Sequence, residues 1–336
     1  MAHEIEIKEG VAQFAFIGEN PWHGLGQQML PGATADDMKK AAGLDWSVDM
    51  QPLWTKDSEG NLVEVPSHRV AVRSSDGAQF TVASDRWTPT QNEAFFGFAR
   101  EFAGETGSFV ETAGSLRGGK TPFALININR DFFVGQPDDV VKSYLLLSWS
   151  HMVGKANKAK AVSTRVVCAN TEAMAMREGG MEVSQTHSAG FDFGAVRAMY
   201  DLAVAASADQ AEAYNALAKV KMSQFDVVKF LQPLLQPVTE EKLAELDLSL
   251  EGFQRGLWQG TVKLNTPLED VLDSMQTAPG AVRGTEQTGW SVLNGMTYWT
   301  NHRAGRVRDA RLTSAWFGDR ANMVAEAKRG LLELAA

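Results

Sequence analysis

Val70-Ala71-Val72-Arg73-Ser74-Ser75-Asp76-Gly77-Ala78-Gln79-Phe80-Thr81-Val82 is the stretch on which the fold turns. Two β-rich runs flank an Asp-Gly pair, which supplies the positive backbone angles of a tight turn, so the stretch predicts a β-hairpin. Working forward, Pro89 precedes Thr90-Gln91-Asn92-Glu93, a pattern that predicts a capping box and a helix start. Phe95, Phe98, Ala99 and Phe102 then recur at helical spacing, and Gly104 is the expected stop. Three strands are expected next, at Phe109 to Leu116, Pro122 to Ile128 and Tyr144 to Trp149. Gly118-Gly119 joins the first two, and Gly114 is read as a bulge within the first. A further β-rich run, Ala161 to Val167, leads to Asn170 as the N-cap of a helix that ends at Gly179-Gly180.

Working backward, the first sixty residues read as loops with short elements, including a short helix from Thr34 to Ala42. Beyond Phe191 the sequence turns Ala-rich and periodic. Helices are expected near 192–221, 224–235 with a kink or break at Pro233, 240–246, 268–275, 286–302 and 313–334. The expected class is α+β: an antiparallel sheet with a β-β-α-β-β-β-α core, then a mostly helical C-terminal half. The expected organisation is a loop-rich segment over 1–60, a strand-rich core over 61–185 and a helical region over 186–336.

The 336 residues, 44% hydrophobic and 22% charged, have the profile of a folded globular chain. The single cysteine, Cys168, excludes an internal disulfide and a Cys-rich zinc site, and it reads as a small buried hydrophobe. No apolar run nears the roughly 20 residues that cross a bilayer, and the start is acidic where a secretory signal would be basic. A location in the cytoplasm, without membrane, is the expectation. No His-x-x-x-His pair, phosphate-binding Walker loop or Gly-x-Gly-x-x-Gly after a strand is present. No catalytic residue, metal or cofactor is therefore assigned.

Charge is unevenly spread. The formal net charge is −9, with acid concentrated between Asp201 and Glu251, yet no acidic residue occurs from Val140 to Thr171. That stretch carries Lys142, Lys155, Lys158, Lys160 and Arg165. Lysine and arginine neutralise phosphates and release counterions, so the island is a candidate nucleic-acid surface, although a solvated loop would read the same way. Trp149 abuts it and is a candidate stacking platform, though a tryptophan that ends a strand is more often core. Arg117 and Lys120 flank the Gly118-Gly119 turn, where they could touch phosphate or guard a sheet edge. Arg303, Arg306, Arg308 and Arg311 form a second cluster that could face nucleic acid or the acidic helix of a neighbouring subunit.

Several motifs spread in order along the chain carry a resemblance. Trp22-His23-Gly24-Leu25-Gly26, Ser84-Asp85-Arg86-Trp87-Thr88-Pro89-Thr90-Gln91-Asn92-Glu93, Glu111-Thr112-Ala113-Gly114-Ser115-Leu116 and Arg165-Val166-Val167-Cys168-Ala169-Asn170-Thr171 resemble the phage/plasmid-like proteins of domain-of-unknown-function family nine-thirty-two. Thr288-Gly289-Trp290 and Ser314-Ala315-Trp316-Phe317-Gly318 look like the same family. The resemblance implies a setting of phages and plasmids and no particular reaction. The element order is also similar to that of Rad-fifty-two-type single-strand annealing proteins, an analogy of topology alone. Together these give the expectation of a non-enzymatic protein that binds and anneals single-stranded DNA in a recombination system, as a homo-oligomeric ring or filament. The alternative is a phage or plasmid protein that blunts a host defence by binding a host protein, without nucleic acid.

Overall fold

The computed structural model describes residues 5–18, 25–165, 182–185, 192–236, 251–252, 264–278, 287–304 and 319–336. The chain divides into two compact units. The first comprises Met1–Arg130, Lys142–Ser163 and Gly180–Ala206; the second comprises Asp131–Val141, Thr164–Gly179 and Ser207–Ala336. The class is α+β.

Elements of the first unit begin with β1 (Ile7–Lys8), β2 (Val11–Ala12), β3 (Phe14–Ile17), β4 (Gln27–Met29) and α1 (Ala35–Ala41). The expected short helix is α1: Thr34 accepts from the Asp37 amide while the Asp37 carboxylate accepts from Thr34, a reciprocal cap. Next come β5 (Val48–Lys56), β6 (Leu62–Arg73) and β7 (Gln79–Ser84), an antiparallel sheet in that order whose second turn is the expected hairpin. Helix α2 (Asn92–Thr106) follows, then β8 (Phe109–Leu116), β9 (Thr121–Asn127), β10 (Phe132–Val134), β11 (Gln136–Ser148), β12 (Asn157–Arg165) and β13 (Glu182–Gln185).

The main sheet has the order β13-β12-β11-β9-β8-β3-β4, with β10 paired to the start of β11. The pairs β12–β13, β10–β11, β9–β11, β8–β9 and β3–β8 are antiparallel, and the short pair β3–β4 is parallel, which the sequence did not signal. One face packs Ala113, Ala124, Ile126, Leu145, Leu147 and Trp149 against α1 and α2, whose Met38, Phe95, Phe96 and Phe102 are buried there. The alternation of β8, β9 and β11 sends these residues inward, and strand and helix periods meet in one core.

Three local expectations are corrected. Asn92 opens α2 with Gln91 as an N-cap that makes no side-chain cap bond, so no capping box forms. Each of its expected members has a distant partner instead. Gln91 bonds both the N–H and C=O of Val48 at 2.9 Å, Thr90 Oγ1 accepts from Asn157 at 2.6 Å, and Glu93 pairs with Lys39. Gly104 does not stop the helix; Gly107, at φ 70°, does. The irregularity in β8 falls between Val110 and Thr112, away from Gly114. Glycine is needed at 114 for a different reason, because a Cβ there would lie 2.9 Å from Phe14 Cδ2 and 3.2 Å from Phe123 Cζ.

In the second unit, β10 and the start of β11 accompany the C-terminal part of α3 (Phe193–Lys219), α4 (Gln224–Leu235), α5 (Thr266–Thr277), α6 (Gly289–Tyr298), a π-helical turn (Trp299–Arg303) and α7 (Asp319–Ala335). Tyr214, Leu231, Val271, Trp290, Leu293, Met296 and Leu331 form its core, and buried Trp290 donates to Asp139 at 2.8 Å. Pro233 lies within α4, which spans Gln224–Leu235 as expected; of the kink or break expected at the proline, the break does not occur. Lacking an N–H, it forgoes the bond to the Lys229 carbonyl, while the Gln236 N–H beyond it still donates to Gln232 O at 2.8 Å. The helices expected near Asn170 and over 240–246 lie outside the described residues. Among the described residues no helix is long and apolar enough to cross a membrane.

Gly114→Ala is expected to lower stability by about 1–3 kcal/mol through overpacking against Phe14 and Phe123. Urea denaturation followed by circular dichroism checks this, and an unchanged midpoint would refute the close-approach account.

Candidate nucleic-acid interface

The antiparallel register decides which cations meet. Ser148 of β11 stands opposite Phe123 near the start of β9, and β9 follows the 117–120 turn from β8. The β11–β12 loop therefore emerges at the same end of the sheet as that turn. Backbone bonds join the two: Trp149 N–H donates to Pro122 O at 3.1 Å and His151 N–H donates to Lys120 O at 3.0 Å. Arg117, Lys120 and Lys155 are thereby carried on adjoining loops, and Lys158 lies at the start of the next strand.

Each of these loops has a rigid base. Arg117, Gly118 and Gly119 take φ of 55°, 66° and 85°, a run of left-handed residues that two glycines make affordable. A Cβ at Gly119 would lie 2.6 Å from Arg73 Nη1 and 3.2 Å from Glu6 Oε2, so the turn rests directly on a buried ion pair. Arg73 donates to Glu6 at 2.6 Å and to both Asp76 oxygens at 2.8 Å, and Ser115 Oγ donates to Glu6 at 2.7 Å. Lys8 completes the group, 3.1 Å from Asp76. The hydrogen bonds from Arg73, the largest influence, hold the Asp76 carboxyl well below the usual carboxylate range. The Arg73 guanidinium also lies over the rings of Trp46 and Phe80, 5.3 and 5.7 Å from their centroids.

The other loop leaves β11 through buried anchors. Trp149 stacks on Phe95 with centroids 4.4 Å apart and donates Nε1–H to Asn92 Oδ1 at 2.8 Å. His151 Nε2 lies 3.1 Å from the same oxygen, and its ring stacks on Phe80 at 5.4 Å. Asn157 closes the loop by accepting from the Ser150 amide at 3.1 Å. Between these anchors Val153, Gly154 and Lys155 are exposed.

The eight residues singled out in the sequence thus separate. Arg117, Lys120 and Lys158, all partly exposed, and Lys155, exposed, share one end of the sheet. Lys142 does not join them. It lies six residues before Ser148, about 20 Å away along the strand, and binds Glu111 at 2.9 Å, where Tyr144 and Asn127 also donate. Trp149 offers no face to a base: it is fully buried, one side against Phe95 and its N–H satisfied by Asn92. Both assignments are corrected for these reasons. Lys160 pairs through its backbone with Glu182, while its side chain and that of Arg165 lie outside the described residues. Arg303 binds Asp273 at 2.5 Å, and Arg306, Arg308 and Arg311 lie outside the described residues. Sequence reasoning missed Lys8 and Arg73 at this end, because neither the pairing of the N-terminal segment with β8 nor the ion pair of Arg73 with Glu6 had a local sign.

Among the described residues no group of three histidine, cysteine or carboxylate side chains stands placed to hold a metal ion. A family model described as "Domain of unknown function (DUF932)" matches residues 79–316. No curated protein and no solved structure matches the chain.

Because its folded-state carboxyl is held low, Asp76 contributes stability that is present above its unfolded pKa and is lost as pH falls toward the folded value. Asp76→Asn is expected to cost about 1–2 kcal/mol at neutral pH. That difference from the parent should shrink below about pH 4, where the unfolded carboxyl takes up its proton. Denaturant titrations of both proteins from neutral to acid pH measure it, and a difference that grows on acidification would contradict the assignment.

Proposed function

The chain belongs to the DUF932 family, defined by a domain of unknown function, and from that premise we propose that it binds the backbone of single-stranded DNA at the end of its main sheet. The observation that carries the reading is the hydrogen-bonded junction of the 117–120 turn with the β11–β12 loop, which gathers Arg117, Lys120, Lys155 and Lys158 on one rim. Phosphates spaced along a strand suit several cations held on adjoining rigid loops, since each contact adds attraction without requiring a base pocket. Binding through phosphate leaves base edges free to pair, so annealing is the role that follows, and it needs no cofactor. A place in phage or plasmid recombination, within the cytoplasm of the bacterial host, is part of the proposal.

Trp149 is not part of it. With the nearest aromatic residue buried, base stacking contributes little at this rim, and affinity is expected to be dominated by salt-sensitive charge pairing.

Fluorescence anisotropy of a labelled, unstructured single strand, at low and then moderate salt, tests the reading. The parent protein should bind more tightly than to duplex and weaken with salt. Lys120→Glu/Lys155→Glu/Lys158→Glu should lose at least about tenfold in affinity and flatten the slope of log K against log salt by about 2, at roughly 0.7 per phosphate contact. Lys229→Glu, a single charge reversal at an exposed position on α4, should leave both unchanged. Absence of binding at low salt overturns the proposal, and an unaffected triple variant removes the rim from it.

A further inference from the structure

The outer part of the β5–β6 hairpin is exposed. Strand β7 pairs with β6 only from His68 to Val72, so among the described residues the hairpin beyond it is a ribbon of two strands with no third. From Gln51 to His68 every residue is exposed except Leu53 and Val65, which are partly so. Isolated two-stranded ribbons are marginal in water, yet this one is braced at its tip. Asp57 accepts from the amides of Glu59 and Asn61, both at 2.9 Å, and Asn61 Nδ2 returns a bond at 3.2 Å. A firm tip displays Trp54, 53% exposed, and Leu62, 67% exposed.

The register fixes what these residues share a face with. Trp54 stands opposite Glu64 and Lys56 opposite Leu62, and residues two apart on a strand point to the same side. One face of the ribbon is therefore a square with Trp54 and Leu62 on one diagonal and Lys56 and Glu64 on the other. Such a square is complementary to itself. A twofold axis along the apolar diagonal sets Trp54 against Trp54 and Leu62 against Leu62 of the other copy, and it brings each Lys56 onto the other copy's Glu64. Either alternative pairing of the squares about an in-plane twofold along or across the strands leaves charge facing an apolar side chain or a ring. The competing mode, addition of a strand to the ribbon's edge, is hindered because Pro52 and Pro66 remove backbone donors from β5 and β6.

We propose that this face of the β5–β6 ribbon is a self-association surface whose occupant is the same face of a second copy of the chain. Exposed tryptophan and leucine flanked by opposite charges is the make-up of an anchor with a polar rim, and a twofold contact needs only one such patch. The patch is far smaller than the roughly 800 Å² per partner of a stable interface, so the association is weak, with a Kd on the order of 10–100 µM. The contact is independent of the DNA-binding reading, and its test contains no DNA.

Sedimentation velocity of the full chain from about 1 to about 200 µM should show a monomer giving way to a dimer. Trp54→Ser/Leu62→Ser should stay monomeric across that range with an unchanged far-ultraviolet spectrum. Lys56→Glu and Glu64→Lys should each lose association alone, whereas an equal mixture of the two should regain it, since each then supplies the charges the other lacks. An ion pair within one chain would not be rescued by mixing. A parent that remains monomeric throughout overturns the proposal. So does association that persists in Trp54→Ser/Leu62→Ser, or a mixture that fails to associate where the parent does.

Discussion

The carboxamide of Asn92 is fully buried at the first turn of α2, and each of its hydrogen-bonding positions is occupied by a different part of the first unit. Its Nδ2 donates to the carbonyls of Leu44 and Trp46 at 3.0 and 3.2 Å, which fixes the chain between α1 and β5. Its Oδ1 receives Trp149 Nε1–H and faces His151 Nε2, which fixes the chain as it leaves β11. An unsatisfied buried amide is costly, so three segments far apart in sequence are tied to one another's positions. The order of the rim above follows from this. Trp46, placed by Asn92, packs with Phe80 and His151, and Arg73 lies over Trp46 and Phe80.

Much of this was legible wherever local chemistry decides the outcome. The Asp76-Gly77 turn, the strand from Phe109 to Leu116 and the short helix expected from Thr34 to Ala42 form as their sequences require, because turn geometry, alternation and helical propensity act over a few residues. Long-range partners decided the rest. Gln91 and Glu93 have the spacing of a capping box, but Val48 and Lys39 offer them bonds that depend on β5 and α1 being in place. Strands of four and three residues, β3 and β4, are too short to show a period and exist because β8 presents an edge to pair with.

The candidate site divides along the same line. An acid-free run of sequence signalled a basic surface, and the turn at Gly118-Gly119 signalled an exposed one. Neither signal could tell that Glu111, 31 residues before Lys142, would neutralise it across the sheet. Nor did anything near Trp149 announce that its partners are Phe95 and Asn92. A cluster in sequence became a cluster in space only where the meander's register returned two loops to the same end.

The charge of that end depends on what lies beneath it. Glu6 lies against the 117–120 turn and Asp76 is joined to it through Arg73, and two unpaired carboxylates there would oppose any phosphate brought to the rim. They are matched instead by Arg73, which bonds both, and by Lys8, which bonds Asp76. The group is formally neutral, two acids and two bases within hydrogen-bonding distance, of which Glu6 and Arg73 are buried, Lys8 is partly exposed and Asp76 is exposed. The turn that carries Arg117 and Lys120 thus rests on a cluster with no net formal charge. The close contact of Gly119 with Arg73 and Glu6 adds a geometric consequence. Any larger residue there would lift the turn from the ion pair, changing the rim's shape and exposing the carboxylate beneath it together.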